Sequence, residues 1–411
     1  MGSSRDNTQG AAQKVSAVSA NSSREQALEA ARELLPGIAA RAERTERERR
    51  LPAETVDELH RSGLFALATP RAYGGAELGF AALVEVTATL ASACGSTGWV
   101  YGVLTGHAWM SALFAREAQD EVFADPRALV ASVFRLGGKT VAAPGGYRLT
   151  AGEGRFCSGI DFARWVIVGN AVQREDGSAE PVYLLIPTDE LSIVDDWHTA
   201  GLRGTGSRSI RIADAFVPEH RAVRGADLNR GTSPGAHYHR GAPIYSVPFP
   251  VAQPFSLIGT PLGLARGALQ KVLDGQRPRF AAMAPEQAGE QGALFARLAQ
   301  VGGDIDAATA LILRDAQLVD SLTDIAKLSP LDRSTILRNL AYAAQACRYA
   351  LTRLFESGGG SGVYDGSVLQ RMWRDVNTAT AHAAFTWDQA ATQFGRAHLG
   401  VAPSRFSGPR R

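Results

Sequence analysis

The chain lacks the features by which membrane, metal and phosphate-binding proteins usually announce themselves. No apolar run approaches the roughly 20 residues of a membrane span, and the N-terminus has no apolar signal-peptide core. A soluble, cytoplasmic protein is therefore expected. Its three cysteines, Cys94, Cys157 and Cys347, are odd in number and far apart. They argue against a disulfide framework and for a reducing compartment. An excess of one charge is missing too: 43 basic and 41 acidic residues leave a net charge of +2. That removes the electrostatic argument for nucleic acid or an anionic membrane as partner. There is no Walker-type loop, no Gly-x-Gly-x-x-Gly between strand and helix, no Gly-x-Ser-x-Gly elbow and no His-Glu-x-x-His. His237-Tyr238-His239 offers two imidazoles without a nearby third ligand, so no metal site is expected.

What is present is an ordinary soluble composition, 45% hydrophobic and 20% charged over 411 residues, long enough for two or three domains. Residues 1–23 show no periodicity and read as a disordered tail. From Arg24 the pattern is helical, with Leu28, Ala31, Leu35, Ile38 and Ala42 on one face. Pro52 suits a first helical turn, and residues 72–77 form a loop. Phe80–Ala93 is a helix stopped by Cys94-Gly95, with Ser96 placed to cap the next one. That next helix carries Trp99, Val103, His107, Met110 and Phe114 on one stripe. The period then changes. Short β-rich runs follow at 129–134, 147–150, 154–158, 165–168, 181–186, 191–194, 209–212 and 215–217, the pattern of a small barrel or sandwich. Helices return at 256–273, 285–322, 332–356 and 368–394 and suggest a bundle. The domain boundaries expected are 24–125, 126–225 and 226–400, with a tail at 401–411.

One stretch in the β region invites a chemical reading, Gly154-Arg155-Phe156-Cys157-Ser158-Gly159. In an extended segment side chains alternate, so Phe156 and Ser158 should share a face and Cys157 should take the other. An aromatic wall beside a hydroxyl would seat a flat heteroaromatic ring. Taken alone, the stretch reads first as a strand whose serine is incompletely buried. His107 reads first as a core histidine, His382 as a half-buried helix histidine, and Ser132 as a structural hydroxyl. The glycine-rich 201–207 lies between strands and reads as a wide turn, although Thr205 and Ser207 are placed to touch a ligand.

The order of helical, β and helical regions resembles the acyl-CoA dehydrogenase fold: α+β, with an N-terminal helical domain, a middle β-barrel domain and a C-terminal four-helix bundle. The motifs that carry the resemblance run from about residue 30 to 400. They include Pro70-Arg71-Ala72-Tyr73-Gly74-Gly75, Trp197 followed by Gly201-Leu202-Arg203-Gly204-Thr205-Gly206-Ser207, Gly263-Leu264-Ala265-Arg266-Gly267, and Trp373-Arg374-Asp375. The chain departs from the dehydrogenases at their catalytic base. The two positions where a carboxylate would remove a proton alpha to a thioester are Ala383 and Gln253. Neither is acidic, so alpha-proton abstraction has no agent.

The chain is more similar to the oxygenase components of two-component flavin monooxygenases, such as those that hydroxylate p-hydroxyphenylacetate or seco-steroids. That resemblance rests on Gly98-Trp99-Val100 with His107, on Phe156-Cys157-Ser158-Gly159-Ile160-Asp161 with Trp165, on 201–207, and on Arg371-Met372-Trp373-Arg374-Asp375 with His382. It implies reduced FMN or FAD from a separate NAD(P)H:flavin reductase, dioxygen as co-substrate, a C4a-hydroperoxyflavin, and a phenolic, indolic or polycyclic aromatic substrate. It implies a homotetramer with no nucleic-acid or membrane partner. Ser158 is then expected to hold the flavin N5–H, Phe156 to lie against the ring, and Ser132 to line the pocket. His382 is expected to be the base that takes the phenol proton, with His107 a second group on the substrate side. Arg279 and Gly359 are expected near the flavin phosphate of a neighbouring subunit. Oxygen transfer to nitrogen or sulfur on the same fold is the alternative, with acyl-CoA dehydrogenation a more distant one.

Overall fold

The first helix starts for a local reason. The Ser23 hydroxyl accepts the Gln26 N–H while the Gln26 side chain accepts the Ser23 N–H, a reciprocal capping box. The computed structural model, which describes residues 17–173, 178–324 and 327–401, places α1 at Arg24–Glu48, followed by α2 (Ala53–Arg61), α3 (Phe80–Ala93), α4 (Gly95–Ser111) and α5 (Arg116–Phe123). Among the described residues no helix is long and apolar enough to cross a membrane. The last residues of the expected 1–23 tail pack on the fold: Val18 is buried and its N–H donates to Ser62 O. Residues 1–16 lie outside the described residues. Ser96 does not cap α4. Cys94 takes the extended cap position and Gly95 already begins the helix.

The β region is one eight-stranded sheet: β1 (Val130–Val133), β2 (Lys139–Ala143), β3 (Gly146–Cys157), β4 (Trp165–Gln173), β5 (Ala179–Pro187), β6 (Ser192–Val194), β7 (Arg208–Pro218) and β8 (Ala222–Arg224). Its order is β6-β7-β3-β2-β4-β5-β8, with β1 added parallel to β4. The runs expected separately at 147–150 and 154–158 are one strand, β3: its register with β7 is the same on both sides of Ala151, which the pairing skips and which takes φ +51°. Strand β2 escaped the sequence reading since its short run begins with an exposed Lys139.

Beyond the sheet come α6 (Gly225–Arg230), α7 (Pro234–Tyr238), α8 (Phe249–Ala252), α9 (Phe255–Ala281), α10 (Pro285–Gly289), α11 (Gly292–Asp320), α12 (Pro330–Ser357), α13 (Val368–Thr380) and α14 (Trp387–His398). Helices α9, α11 and α12 pack on one another and on α3 or α13. The α3–α9 approach needs glycine: a Cβ on Gly263 would lie 2.1 Å from Ala88 O. Asp320 of α11 ties the bundle to α3 by accepting the Phe80 and Ala81 N–H groups at 2.7 and 2.9 Å. The core is continuous, and its fully buried leucines, such as Leu83, Leu90 and Leu264, each contribute about 2 kcal/mol.

Residues 368–394 were expected as one helix, but α13 stops at Thr380 and α14 starts at Trp387. The side chains of Asn377, Thr378 and Thr380 donate to the carbonyls of Trp373, Arg374 and Val376, each four residues back. Such bonds compete with the helical ladder and bend it. His382 therefore stands in an extended conformation in the break (φ −62°, ψ 141°), not on a helix face.

Candidate active site

The site is organised by α4, whose residues are nearly all buried. Trp99 in its second turn donates its indole Nε1–H to Ser158 Oγ at 3.1 Å. Its ring also meets His382 edge-on, with centroids 5.8 Å apart. One tryptophan thus joins the β3 stretch to the α13–α14 break. Its signal in the sequence was the Gly98-Trp99-Val100 motif, but its partners lie 59 and 283 residues away and no local pattern names them.

Ser158 comes to Trp99 because β3 does not end as a regular strand. The register with β7 shifts between Gly154 and Cys157, and Phe156 takes φ +67°. A non-glycine residue there is strained by about 1–2 kcal/mol. The bulge overturns the simple alternation: Cys157 is fully buried, Ser158 is 9% exposed and Phe156 is 70% exposed. Phe156 touches Trp197 edge-on at 6.1 Å. The Phe156 ring and the Ser158 hydroxyl therefore do not share a face of a flat strand.

The glycine-rich loop packs directly behind Ser158. Ser207 Oγ lies 2.6 Å from Ser158 Oγ and 2.6 Å from Thr205 Oγ1, and Thr205 donates to Leu202 O at 2.9 Å. The main chains are joined too, Gly159 N–H donating to Thr205 O at 3.0 Å. Leu202 is fixed on both sides. Its N–H donates to Asp375 at 2.6 Å, and its carbonyl also accepts the Trp197 indole at 3.0 Å. Burial raises the Asp375 pKa to about 6, opposed by that backbone bond. Gly201 is required by contact, since a Cβ would sit 2.2 Å from Arg374 O. Arg208 closes the loop by pairing with Asp161 at 3.0 Å and with Asp195.

Two turns further along α4 lies His107. Its Nδ1 is 2.9 Å from Val130 O and its Nε2 is 2.8 Å from Ser132 Oγ. A carbonyl can only accept, so Nδ1 carries the proton and Nε2 accepts the Ser132 hydroxyl. Burial pushes the His107 pKa down to about 4, against the Val130 bond, and the ring is neutral at pH 7. Ser132 belongs to β1, which pairs in parallel with β4. Ser158 lies just past the end of β3, and β3 packs against β1. Phe134 meets His107 edge-on at 5.8 Å and Phe249 at 5.1 Å, and Tyr183 completes an aromatic cluster with them. A cavity lined in part by His107, Met110, Phe249 and Gln253 lies beside it.

His382 is wired differently. Its Nδ1 accepts the Ala384 N–H at 3.1 Å, so the neutral ring carries its proton on Nε2. Burial lowers its pKa to about 4. The structure thus makes two groups along α4, Ser158 and His382 on Trp99, and Ser132 and Phe134 on His107. Arg279, near the end of α9, and Gly359, after α12, are exposed; among the described residues, no hydrogen bond or ring contact links either to those groups. The acids that border them are engaged, Asp161 with Arg208 and Asp375 with the Leu202 N–H.

Family models for the N-terminal and C-terminal domains of acyl-CoA dehydrogenase match residues 21–128 and 257–387. The chain is 34% identical over 373 residues to the oxygenase component of an FADH2-dependent resorcinol hydroxylase from Rhizobium sp. (strain MTP-10005), covering 88% of this chain and 91% of that one. The crystal structure of the HsaA monooxygenase from M. tuberculosis superposes with a TM-score of 0.86 at 33% identity, over 93% of this chain and 99% of the other. XiaF from Streptomyces sp., solved in complex with FADH2 and glycerol, gives a TM-score of 0.84 at 32% identity, over 92% and 96%.

Proposed function

The chain belongs to the oxygenase components of flavin-dependent monooxygenases built on the acyl-CoA dehydrogenase fold, and on that premise we propose that it hydroxylates a phenolic, indolic or polycyclic aromatic small molecule with dioxygen and reduced FMN or FAD. The protein acts in the cytoplasm, where a separate NAD(P)H:flavin reductase supplies the flavin. The observation that carries the reading is the placement of two different hydroxyls, each with a defined partner, two turns apart along α4: Ser158 under Trp99 and Ser132 on His107.

The donor set fits a reduced flavin. Ser158 Oγ accepts from Trp99 and keeps one lone pair for a further donor, which suits N5–H. Phe156, held exposed in a strained conformation beside Trp197, offers an aromatic edge for the ring. When bound, reduced flavin supplies the electrons that activate dioxygen. The chain's own residues bind it, exclude water and manage protons. Ser132 accepts the proton of a phenol hydroxyl while passing its own to His107 Nε2. His107, with a pKa of about 4, is a weak base, but a phenol's proton becomes strongly acidic as its ring gives electrons to the incoming oxygen, and a weak base then suffices. His382 presents Nε2–H and so donates to the substrate-side oxygen rather than taking its proton. The base role expected of His382 passes to His107 in this reading. Arg279 and Gly359 act at the flavin phosphate from a neighbouring subunit of a homotetramer.

The test mixes photoreduced FMN or FAD with labelled dioxygen and a panel of phenols, indoles and polycyclic quinols. A hydroxylated product carrying one labelled oxygen is expected. Peroxide alone across the panel, with flavin reoxidising at its free-solution rate, would sink the proposal. Phe156→Gly gives a separate check. Glycine relieves the φ of +67° but loosens the unfolded chain, so stability should stay within about 1 kcal/mol of the parent by urea titration. Affinity for reduced flavin should fall at least tenfold if the ring is a flavin contact. A large stability loss with unchanged flavin affinity would make Phe156 structural.

A further inference from the structure

We propose that Thr205 and Ser207 are positioning residues that fix the direction of the Ser158 hydroxyl and thereby make the site select reduced over oxidised flavin. The inference rests on the function proposed above and goes beyond it to residues that need not touch the flavin.

The three hydroxyls form a row in which each has one proton to give. Thr205 must donate to Leu202 O, since a carbonyl only accepts. Its contact with Ser207 at 2.6 Å is then made by the Ser207 proton, and the Ser158–Ser207 contact at 2.6 Å by the Ser158 proton. Only this polarity makes all three bonds at once. It turns the Ser158 proton inward, away from the ligand side. The Trp99 indole fills one acceptor site on the oxygen. What Ser158 offers outward is therefore a lone pair and no proton. That matches N5–H of reduced flavin. It mismatches the bare N5 of oxidised flavin, which is itself an acceptor and is served only if a buried bond in the row breaks. All three side chains are buried, Ser158 at 9%, Thr205 at 2% and Ser207 at 4% exposed, so water does not cheaply substitute for a lost partner. A row of this kind would let the spent, oxidised cofactor leave and its reduced form take its place.

Thr205→Val tests this at a distance. Valine keeps the β-branched shape and removes the acceptor for Ser207. The Ser207 proton then turns to Ser158, and the Ser158 proton is driven outward as a donor. Leu202 O keeps its bond from Trp197, so no buried carbonyl is orphaned. The measurement is anaerobic titration of the protein with reduced and with oxidised flavin, read as the ratio of the two dissociation constants. The ratio favouring reduced flavin should fall about tenfold or more in Thr205→Val, with oxidised flavin binding as well as before or better. Thr205→Ser, which keeps the hydroxyl, should retain the parent ratio, and Ser207→Ala should lower it. A ratio within twofold of the parent in Thr205→Val, or an equal weakening of both forms, overturns the proposal while leaving the function intact. A parent protein that binds no reduced flavin overturns the functional reading instead.

Discussion

Alanine in place of Ser132 lowers phenol hydroxylation roughly 100-fold or more, while oxygen is still consumed and appears as peroxide. The size follows from the geometry. Ser132 is hydrogen-bonded to His107 Nε2 at 2.8 Å, and Nδ1–H is anchored on Val130 O. Removing the hydroxyl leaves the substrate proton without a path to the imidazole and leaves Nε2 without its donor. The acidity of the substrate sharpens the test. A nitrophenol already ionised at pH 8 needs no acceptor, so its loss should be much smaller than that of an ordinary phenol. Equal losses for both would reduce Ser132 to a packing role. The pH profile carries a sign as well. The folded-state pKa of His107 is depressed from 6.5 to about 4, so the ring remains an acceptor as pH falls through 6 and 5 and loses that capacity only near 4. A loss of hydroxylation centred near 6.5, tracked to His107, would contradict the buried, carbonyl-anchored ring.

Ser158→Ala should do the opposite kind of damage. Binding of substrate is largely kept, but the product formed per oxygen consumed falls, and peroxide release quickens by tenfold or more. The variant removes the acceptor offered to N5–H and leaves the buried Trp99 indole proton without its partner, where an unmade bond is costly. Stopped-flow absorbance, with peroxide and product measured in parallel, separates this from the Ser132 effect. In one variant the reactive oxygen is lost early; in the other it persists and fails to transfer. Unchanged coupling in Ser158→Ala would remove Ser158 from the flavin side.

These two serines show what was legible beforehand. Helices α1 and α3 could be placed from sequence because their signals are local: the apolar spacing of Leu28, Ala31, Leu35, Ile38 and Ala42 after Arg24, and the Cys94-Gly95 stop after Ala93. The Ser23–Gln26 capping box fell inside the stretch read as a tail. The candidate residues could be named from motif spacing. Their wiring could not. The hydrogen bonds that define Ser158 tie it to Trp99 and Ser207, and neither separation has a period. Phe156 was misplaced since strand alternation presumes no bulge, and a bulge at a phenylalanine with positive φ leaves no composition signal. His382 was put on a helix because apolar spacing continues through the break; the run Asn377-Thr378-Ala379-Thr380, rich in side chains that bond back to the helix, was the available warning.

On a continuous helix, shifting a residue by one position swings its side chain about 100° around the axis, so a helical histidine is locked to one register. In the six-residue gap between α13 and α14 only one short 3-10 turn, Ala383–Phe385, intervenes, and His382 stands in extended conformation at its start. A change of length or side chain within 381–386 would move the His382 ring without disturbing the helical register of α13. Meanwhile Ser158, Ser207 and Thr205, pinned by Asp375 and Arg208, stay where they are. On the proposed roles, the shape of the substrate contact and the hold on the flavin would rest on separate pieces of backbone.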